Sequence, residues 1–184
     1  FIGSKYLRLV IPYLAAITLA IICSFIASRW MQHSSLSASP DPAQLTSHLF
    51  LLQNLLGYES LSAGLWYVEI DFQLFLVSLL LVFLIERLSP ASWSYARTHA
   101  ISMGGITALT IASLFIFNLN ETLDTTFLYF FSSYGLGVLV AYIAKEKSSY
   151  FLLFLLSDMV ALSLYLNFRT RILISLITAI ALCI

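Results

Sequence analysis

Residues 9–28 read LVIPYLAAITLAIICSFIAS and residues 151–166 read FLLFLLSDMVALSLYL. The first is apolar around its whole circumference for 20 residues, with no charge, and about 20 such residues at ~1.5 Å rise cross a hydrocarbon core of about 30 Å. Neither stretch alternates with the period of a transmembrane β-strand. Lipid leaves no water to satisfy an open sheet, so runs of this kind are helices. Working outward by apolar length gives further spans at 64–85, 100–119, 126–144 and 150–168, with 172–184 the incomplete start of another. The fold class is therefore all-α, a polytopic transmembrane helical bundle, treated as a single domain over 1–184.

Composition supports this class. Hydrophobic residues make up 60% of the chain and charged residues 10%, against roughly 45–50% and about 25% in soluble domains. A water-facing surface cannot be assembled from that supply, so the lipid bilayer is the expected partner. Lys plus Arg equal Asp plus Glu at 9 each, which leaves no basic stripe for a phosphate backbone, and nucleic acid is not expected as a partner. Cys23 and Cys183 both sit in apolar runs, as buried thiols rather than as a disulfide or metal framework. The chain opens on Phe1 and stops inside an apolar run, and both ends are read as cut.

The segment 29–63 is the long outer loop, with a candidate interfacial or re-entrant helix at 48–56 from its leucines and Phe50. Lys5 and Arg8, Arg87 and Arg97, and Lys145 and Lys147 would all face the cytoplasm by the positive-inside rule, with Arg169 and Arg171 as its exceptions on the outer side.

Ionisable residues inside hydrocarbon cost several kcal/mol and mark cavities or partners. Glu69, Asp71 and Asp158 are the three candidates. In LWYVEIDFQLF, residues 65–75, Trp66, Glu69 and Gln73 recur at i, i+3 and i+7 and share a helix face, while Asp71 points about 200° away. The Trp66/Glu69/Gln73 face is expected to line a polar cavity open to the outside, the bland alternative being an interfacial Trp with a helix-to-helix polar contact. Asp158 would either hydrogen-bond a neighbouring helix while protonated or line a channel. Arg169 and Arg171 would neutralise Glu69 or Asp71, grip an anionic acceptor, or snorkel to the interface.

The stretch Leu65–Phe75 resembles the Trp-x-x-Glu signature of the membrane-bound acyltransferase 3 family, and His48-Leu-Phe-Leu-Leu-Gln-Asn54 resembles its lead-in. FIGSKYLRLVIPYL, residues 1–14, is similar to the family's Arg-x-x-Arg-(apolar)-x-Pro-x-Tyr opening, here Lys5, Arg8, Pro12 and Tyr13, and 130–142 is similar to its Gly-containing later helix. The resemblance implies transfer of an acyl group, acetyl above all, from acyl-CoA (acetyl-CoA as co-substrate) to a hydroxyl of a cell-envelope glycan or lipid-linked sugar. It also implies a bacterial inner (plasma) membrane. On this reading Glu69 and Trp66 are catalytic, Lys5 and Arg8 bind the acyl donor, and Gln73, Asp71, Arg169, Arg171 and Asp158 are acceptor or channel candidates, with no metal.

The sequence departs from the family where Lys5 stands for its first arginine, losing the planar fork that suits phosphate, and around Gln73-Leu74-Phe75, where its Tyr is replaced. Nothing matches the family's catalytic His: His33 and His48 fall in the outer loop and His99 at a cytoplasmic loop end, so the general base is expected outside this piece. With Lys5 and Arg8 at the inner end of a ~30 Å span, the expectation is two half-sites, inner for donor and outer for acceptor, joined by a channel. A transporter or flippase subunit relaying through Glu69, Asp71 and Asp158 is the rival class, and a non-catalytic scaffold the third.

Overall fold

The computed structural model describes residues 2–30, 39–62, 64–145 and 150–183. His33 and Lys147 lie outside them. Among the described residues seven helices run in order: α1 (Ile2–Ala27), α2 (Pro42–Leu49), α3 (Leu65–Leu88), α4 (Tyr95–Phe115), α5 (Phe127–Lys145), α6 (Tyr150–Leu166) and α7 (Thr170–Cys183). Two short 3-10 turns, Phe117–Leu119 and Glu121–Leu123, join α4 to α5, and no strand occurs among the described residues. The all-α class is thus what the chain adopts.

Four of these helices, α1, α3, α4 and α5, are long and apolar enough to cross a membrane. With 17 and 14 residues, α6 and α7 extend only about 25 and 21 Å at ~1.5 Å per residue, short of a ~30 Å core. The span expected at 100–119 instead begins at Tyr95, because Ser94 caps the helix by accepting the Arg97 N–H at 3.3 Å. Arg97 therefore belongs to the first turn of α4, its guanidinium 4.4 Å from the centre of the Trp93 ring.

The helix expected at 48–56 is displaced toward the N-terminus. Asp41 accepts the Gln44 N–H, and Pro42 fills the first helical position where a missing N–H costs nothing. This start signal outweighs the leucine count. Past Leu49 the chain turns repeatedly, with Leu51 at φ 55°, and only His48 and Leu49 of the expected segment are helical.

The chain divides into two units, Phe1–Gln73 and Leu74–Ile184, with α3 contributing to both. In the second, one buried residue from each of four helices (Leu114, Leu136, Val160 and Ile172) meets in a common core. Most of this unit's buried polar residues are small (Ser78, Ser102, Thr110, Ser113, Ser132 and Ser163), with Asn118 the larger exception among those described. Large apolar side chains such as Phe83, Phe151, Phe154 and Leu162 face outward, the distribution expected when lipid is the solvent and small residues let helices approach. Ser113 shows the device at work, its hydroxyl donating to Leu128 O at 2.7 Å and accepting the Ser132 N–H at 2.8 Å.

In the first unit the chain after α2 returns against the opening turns of α1. The Tyr6 hydroxyl donates to Leu49 O at 2.6 Å and the Gln53 amide donates to the Tyr13 hydroxyl at 2.9 Å. The outer surface of α1 carries exposed Leu7, Ile11, Leu19, Ile22, Phe25 and Ile26, and Cys23 is exposed rather than buried.

Candidate functional site

Glu69 and Gln73 lie four residues apart on α3 and therefore on one face. Gln73 Nε2 donates to Glu69 Oε1 at 2.8 Å, and the backbone N–H of Asn54 donates to Oε2 at 3.2 Å. Glu69 is fully buried, and no cation pairs with it among the described residues. Its charge is answered by an amide and by backbone dipoles from the segment that follows α2.

Around this carboxylate the first unit collects further polar side chains, all buried: Tyr13 from α1, His48 from α2 and Gln53 from the turns between. The Tyr13 ring stacks on His48, centroids 6.3 Å apart and planes 22° from parallel. His48 Nδ1 lies 2.9 Å from Gln44 O, and its Nε2 lies 3.3 Å from the Leu61 N–H. A carbonyl can only accept and an amide N–H only donate, so the neutral ring carries its proton on Nδ1. Burial lowers the His48 pKa, opposed in part by the Gln44 carbonyl. With both nitrogens engaged, His48 holds α2 to the following segment and supports Tyr13 from behind.

The cluster is rich in acceptors and short of donors. Gln53 Oε1 and Gln73 Oε1 are both buried and meet no hydrogen-bond donor among the described residues. Unmatched buried acceptors of this kind each cost about 1–3 kcal/mol. Two amide oxygens beside a carboxylate suit a hydroxyl-bearing molecule, which brings O–H donors.

The sequence candidates fall in distinct places. Trp66 is 36% exposed and packs edge-on to Tyr67 at 5.6 Å, one turn nearer the start of α3 than Glu69. On the face the three share, Glu69 and Gln73 are buried while Trp66 reaches the surface. A cavity of about 390 Å³ in this unit is lined by Pro42, Thr46, Ser47, Phe50, Leu56 and Tyr58 among others, and Glu69 is not in its wall.

Asp71 points elsewhere and pairs with Lys5 at 3.6 Å, both side chains partly exposed. This contact corrects the expectation that Lys5 lies a membrane's thickness from the acidic end of α3. Tyr6 likewise meets Phe72, ring centroids 5.6 Å apart. The sequence reading took 9–28 as one span aligned with the next, whereas the two helices meet through the opening turns of each. Arg8 is exposed and makes no ion pair among the described residues.

In the second unit Asp158 is exposed on α6, in a row with Phe151, Phe154, Leu155, Leu162 and Tyr165, and it neither hydrogen-bonds a neighbouring helix nor pairs with a cation among the described residues. Arg169 and Arg171 find no carboxylate partner there either. Arg169 donates to Asn118 Oδ1, Ser163 Oγ, Leu114 O and Asn167 O, and Arg171 to the Tyr129 hydroxyl at 2.6 Å.

Sequence reasoning missed Tyr13, Gln53 and His48 as members of one cluster. All three lay within the quoted motifs, but His48 was assigned to an outer loop, and Gln53 was given no role of its own within the leucine-rich lead-in.

Compared with known proteins, the chain matches no family model, no curated protein and no solved structure. What the chain demonstrates by itself is apolar helices of membrane-spanning length and a polar cluster around a buried carboxylate that has no cationic partner among the described residues.

Proposed function

We propose that this chain forms part of an integral membrane O-acyltransferase that moves an acyl group, acetyl above all, from acyl-CoA to a hydroxyl of a cell-envelope saccharide or lipid-linked sugar in a bacterial inner membrane. One observation carries the reading. The two segments that resemble the acyltransferase 3 family, some 60 residues apart in sequence, meet in one buried acceptor-rich cluster, Tyr13 reaching it through Gln53 and Glu69 through Asn54. Lys5 and Asp71 join the same two segments a second time.

In the transfer the acceptor oxygen attacks the thioester carbonyl. A C–O bond forms, the C–S bond breaks, the hydroxyl proton passes to the histidine base that the resemblance implies, and the thiolate leaves to be protonated. Glu69 and the two amide oxygens orient the attacking hydroxyl by accepting its hydrogen bonds. Among the donors on Glu69, the Asn54 N–H at 3.2 Å is a longer contact than Gln73 Nε2 at 2.8 Å, and an incoming hydroxyl would replace it as the segment after α2 shifts. Arg8, exposed and without an ion pair among the described residues, is the cation best placed for the donor's phosphates, with Lys5 shared between them and Asp71.

The test is acylated glycan, measured by mass spectrometry in cells carrying the full protein at equal levels. Glu69→Gln keeps the size and loses the charge, and it should lower product at least about 100-fold. Trp66→Phe and Arg8→Ala should each lower it as well. Undiminished acylation by Glu69→Gln sinks the assignment. Substrate movement without covalent product, independent of acyl-CoA, would instead establish a transporter.

A further inference from the structure

Two arginines at one end of the second unit serve no purpose in the scheme above. Arg169 lies between α6 and α7, and its donors reach the end of α4 (Leu114 O, 3.1 Å), the 3-10 turn beyond it (Asn118 Oδ1), α6 (Ser163 Oγ) and its own turn (Asn167 O, 3.3 Å). Every partner is neutral. Arg171, two residues on, sits beside two rings, its guanidinium carbon 4.6 Å from the Tyr129 centroid and 5.1 Å from that of Phe130. One of its N–H groups is fixed on the Tyr129 hydroxyl at 2.6 Å. Asn118 ties the two together, since it accepts from Arg169 and donates to Tyr129 O at 2.7 Å.

The arrangement is a rigid pair of like charges without a counter-ion. No carboxylate lies within ion-pair distance of either guanidinium among the described residues, and Glu121 and Asp124, exposed on the turn before α5, pair with neither. Arg171 is exposed, and so are Phe168 and Ile174, three residues to either side of it in sequence, and Tyr165 at the end of α6. Aromatic and aliphatic side chains around a cation mark the membrane interface, where the available anions are phosphates. A planar guanidinium stacked on aromatic rings is pre-organised for two parallel N–H···O bonds to a phosphate.

We propose that Arg171, with Arg169 fixed behind it, binds the phosphate group of a membrane-surface ligand, either an anionic lipid headgroup or a free phosphate ester. Arg169 is a positioning residue, engaged on neutral oxygens, and supplies field. Arg171 is the group that touches the anion. The inference does not depend on acyl transfer.

The experiment uses the full chain purified in neutral detergent and follows the thermal unfolding midpoint as ligand is added at constant ionic strength. The ligands are short-chain phosphatidylglycerol, phosphatidylcholine of the same chain length, and inorganic phosphate. Phosphatidylglycerol should bind the wild type about five-fold more tightly than it binds Arg171→Gln, the effect of one basic residue at an anionic surface. Arg171→Lys, which keeps the charge and loses the fork, should fall between, and phosphatidylcholine should not distinguish the three proteins. Inorganic phosphate acting as strongly as phosphatidylglycerol, with the same dependence on residue 171, keeps the site and makes its ligand a free phosphate ester. If no phosphate compound separates wild type from Arg171→Gln, the site does not exist.

Discussion

The closest helix contact in the second unit permits a sharp test. A Cβ placed on Gly135 of α5 would lie 2.0 Å from Thr110 Oγ1, 3.1 Å from Thr110 Cβ and 3.2 Å from Phe131 Cε1. Ordinary contacts begin at about 3.5 Å, so α4 and α5 would have to part by more than an ångström or Thr110 would have to turn. Thr110 is fully buried and its hydroxyl donates to Ile106 O at 2.8 Å, so turning it away sacrifices that bond. Gly137 stands two residues further along the same helix, with nothing within 4 Å of its would-be Cβ. Both substitutions to Ala gain up to ~1 kcal/mol in helix propensity, but only Gly135→Ala incurs the ~1–3 kcal/mol of overpacking. The two variants should therefore differ by about 1–3 kcal/mol, or roughly 2–12 °C in unfolding midpoint at ~2–4 °C per kcal/mol for a chain of this size. The assay is thermal unfolding of the detergent-solubilised protein, followed by circular dichroism. Adding Thr110→Ala to Gly135→Ala removes the 2.0 Å contact and leaves the one at 3.1 Å, so the pair should recover part of the loss and show coupling. Equal midpoints for Gly135→Ala and Gly137→Ala would refute the packing argument.

Tyr13→Phe deprives the Gln53 amide of its acceptor, and Gln53 Oε1 already lacks a donor. Unfolding in denaturant should show a loss of about 1–3 kcal/mol, and unchanged stability would mean that the bond contributes nothing. Stability should also fall in mild acid. Burial holds the folded His48 pKa below the ordinary 6.5, so in that interval the unfolded chain binds the extra proton. The contribution of His48 is therefore complete above about pH 6.5 and is lost as the pH falls toward the folded value. Unfolding midpoints from pH 8 to 5 should decline more steeply for the wild type than for His48→Gln, and superimposable profiles would exclude His48 as the cause.

Much of the architecture was legible because hydrocarbon imposes one strong condition, uninterrupted apolar length, which 65–88 and 127–145 meet without ambiguity. Boundaries were legible only where cap chemistry was given priority. Asp41-Pro42 and Ser94 announce the true starts of α2 and α4, and counting leucines and phenylalanines passed over both. Within the site, Glu69 and Gln73 were readable as partners, since helical periodicity alone puts them on one face. Their third partner was not. The Asn54 N–H is a backbone group, and every non-proline residue carries one, so no side-chain pattern singles it out. Gln53 is equally silent, because its bond to Tyr13 spans 40 positions. Asp158 is a different case: a carboxylate in an apolar run signals that it needs a partner but not which way it points, and α6 leaves it exposed.

Hydropathy is one-dimensional, and the consequence is clearest at Lys5. A window average assigns depth along one helix at a time and is indifferent to how far one helix slides past the next. That offset is set by side chains that touch across helices, here Tyr6 on Phe72 and Lys5 on Asp71. Lys5 stands three residues into α1 and Asp71 six into α3, an offset of less than one turn of about 5.4 Å, so the two helix starts lie level and the charges meet there. Once the offset is known, two half-sites separated by a membrane's thickness are no longer needed to account for the charged residues at the start of α1. Lys5, Tyr13, Glu69 and Asp71 belong to one unit, and the polar groups that hydrocarbon makes expensive are gathered where they satisfy one another.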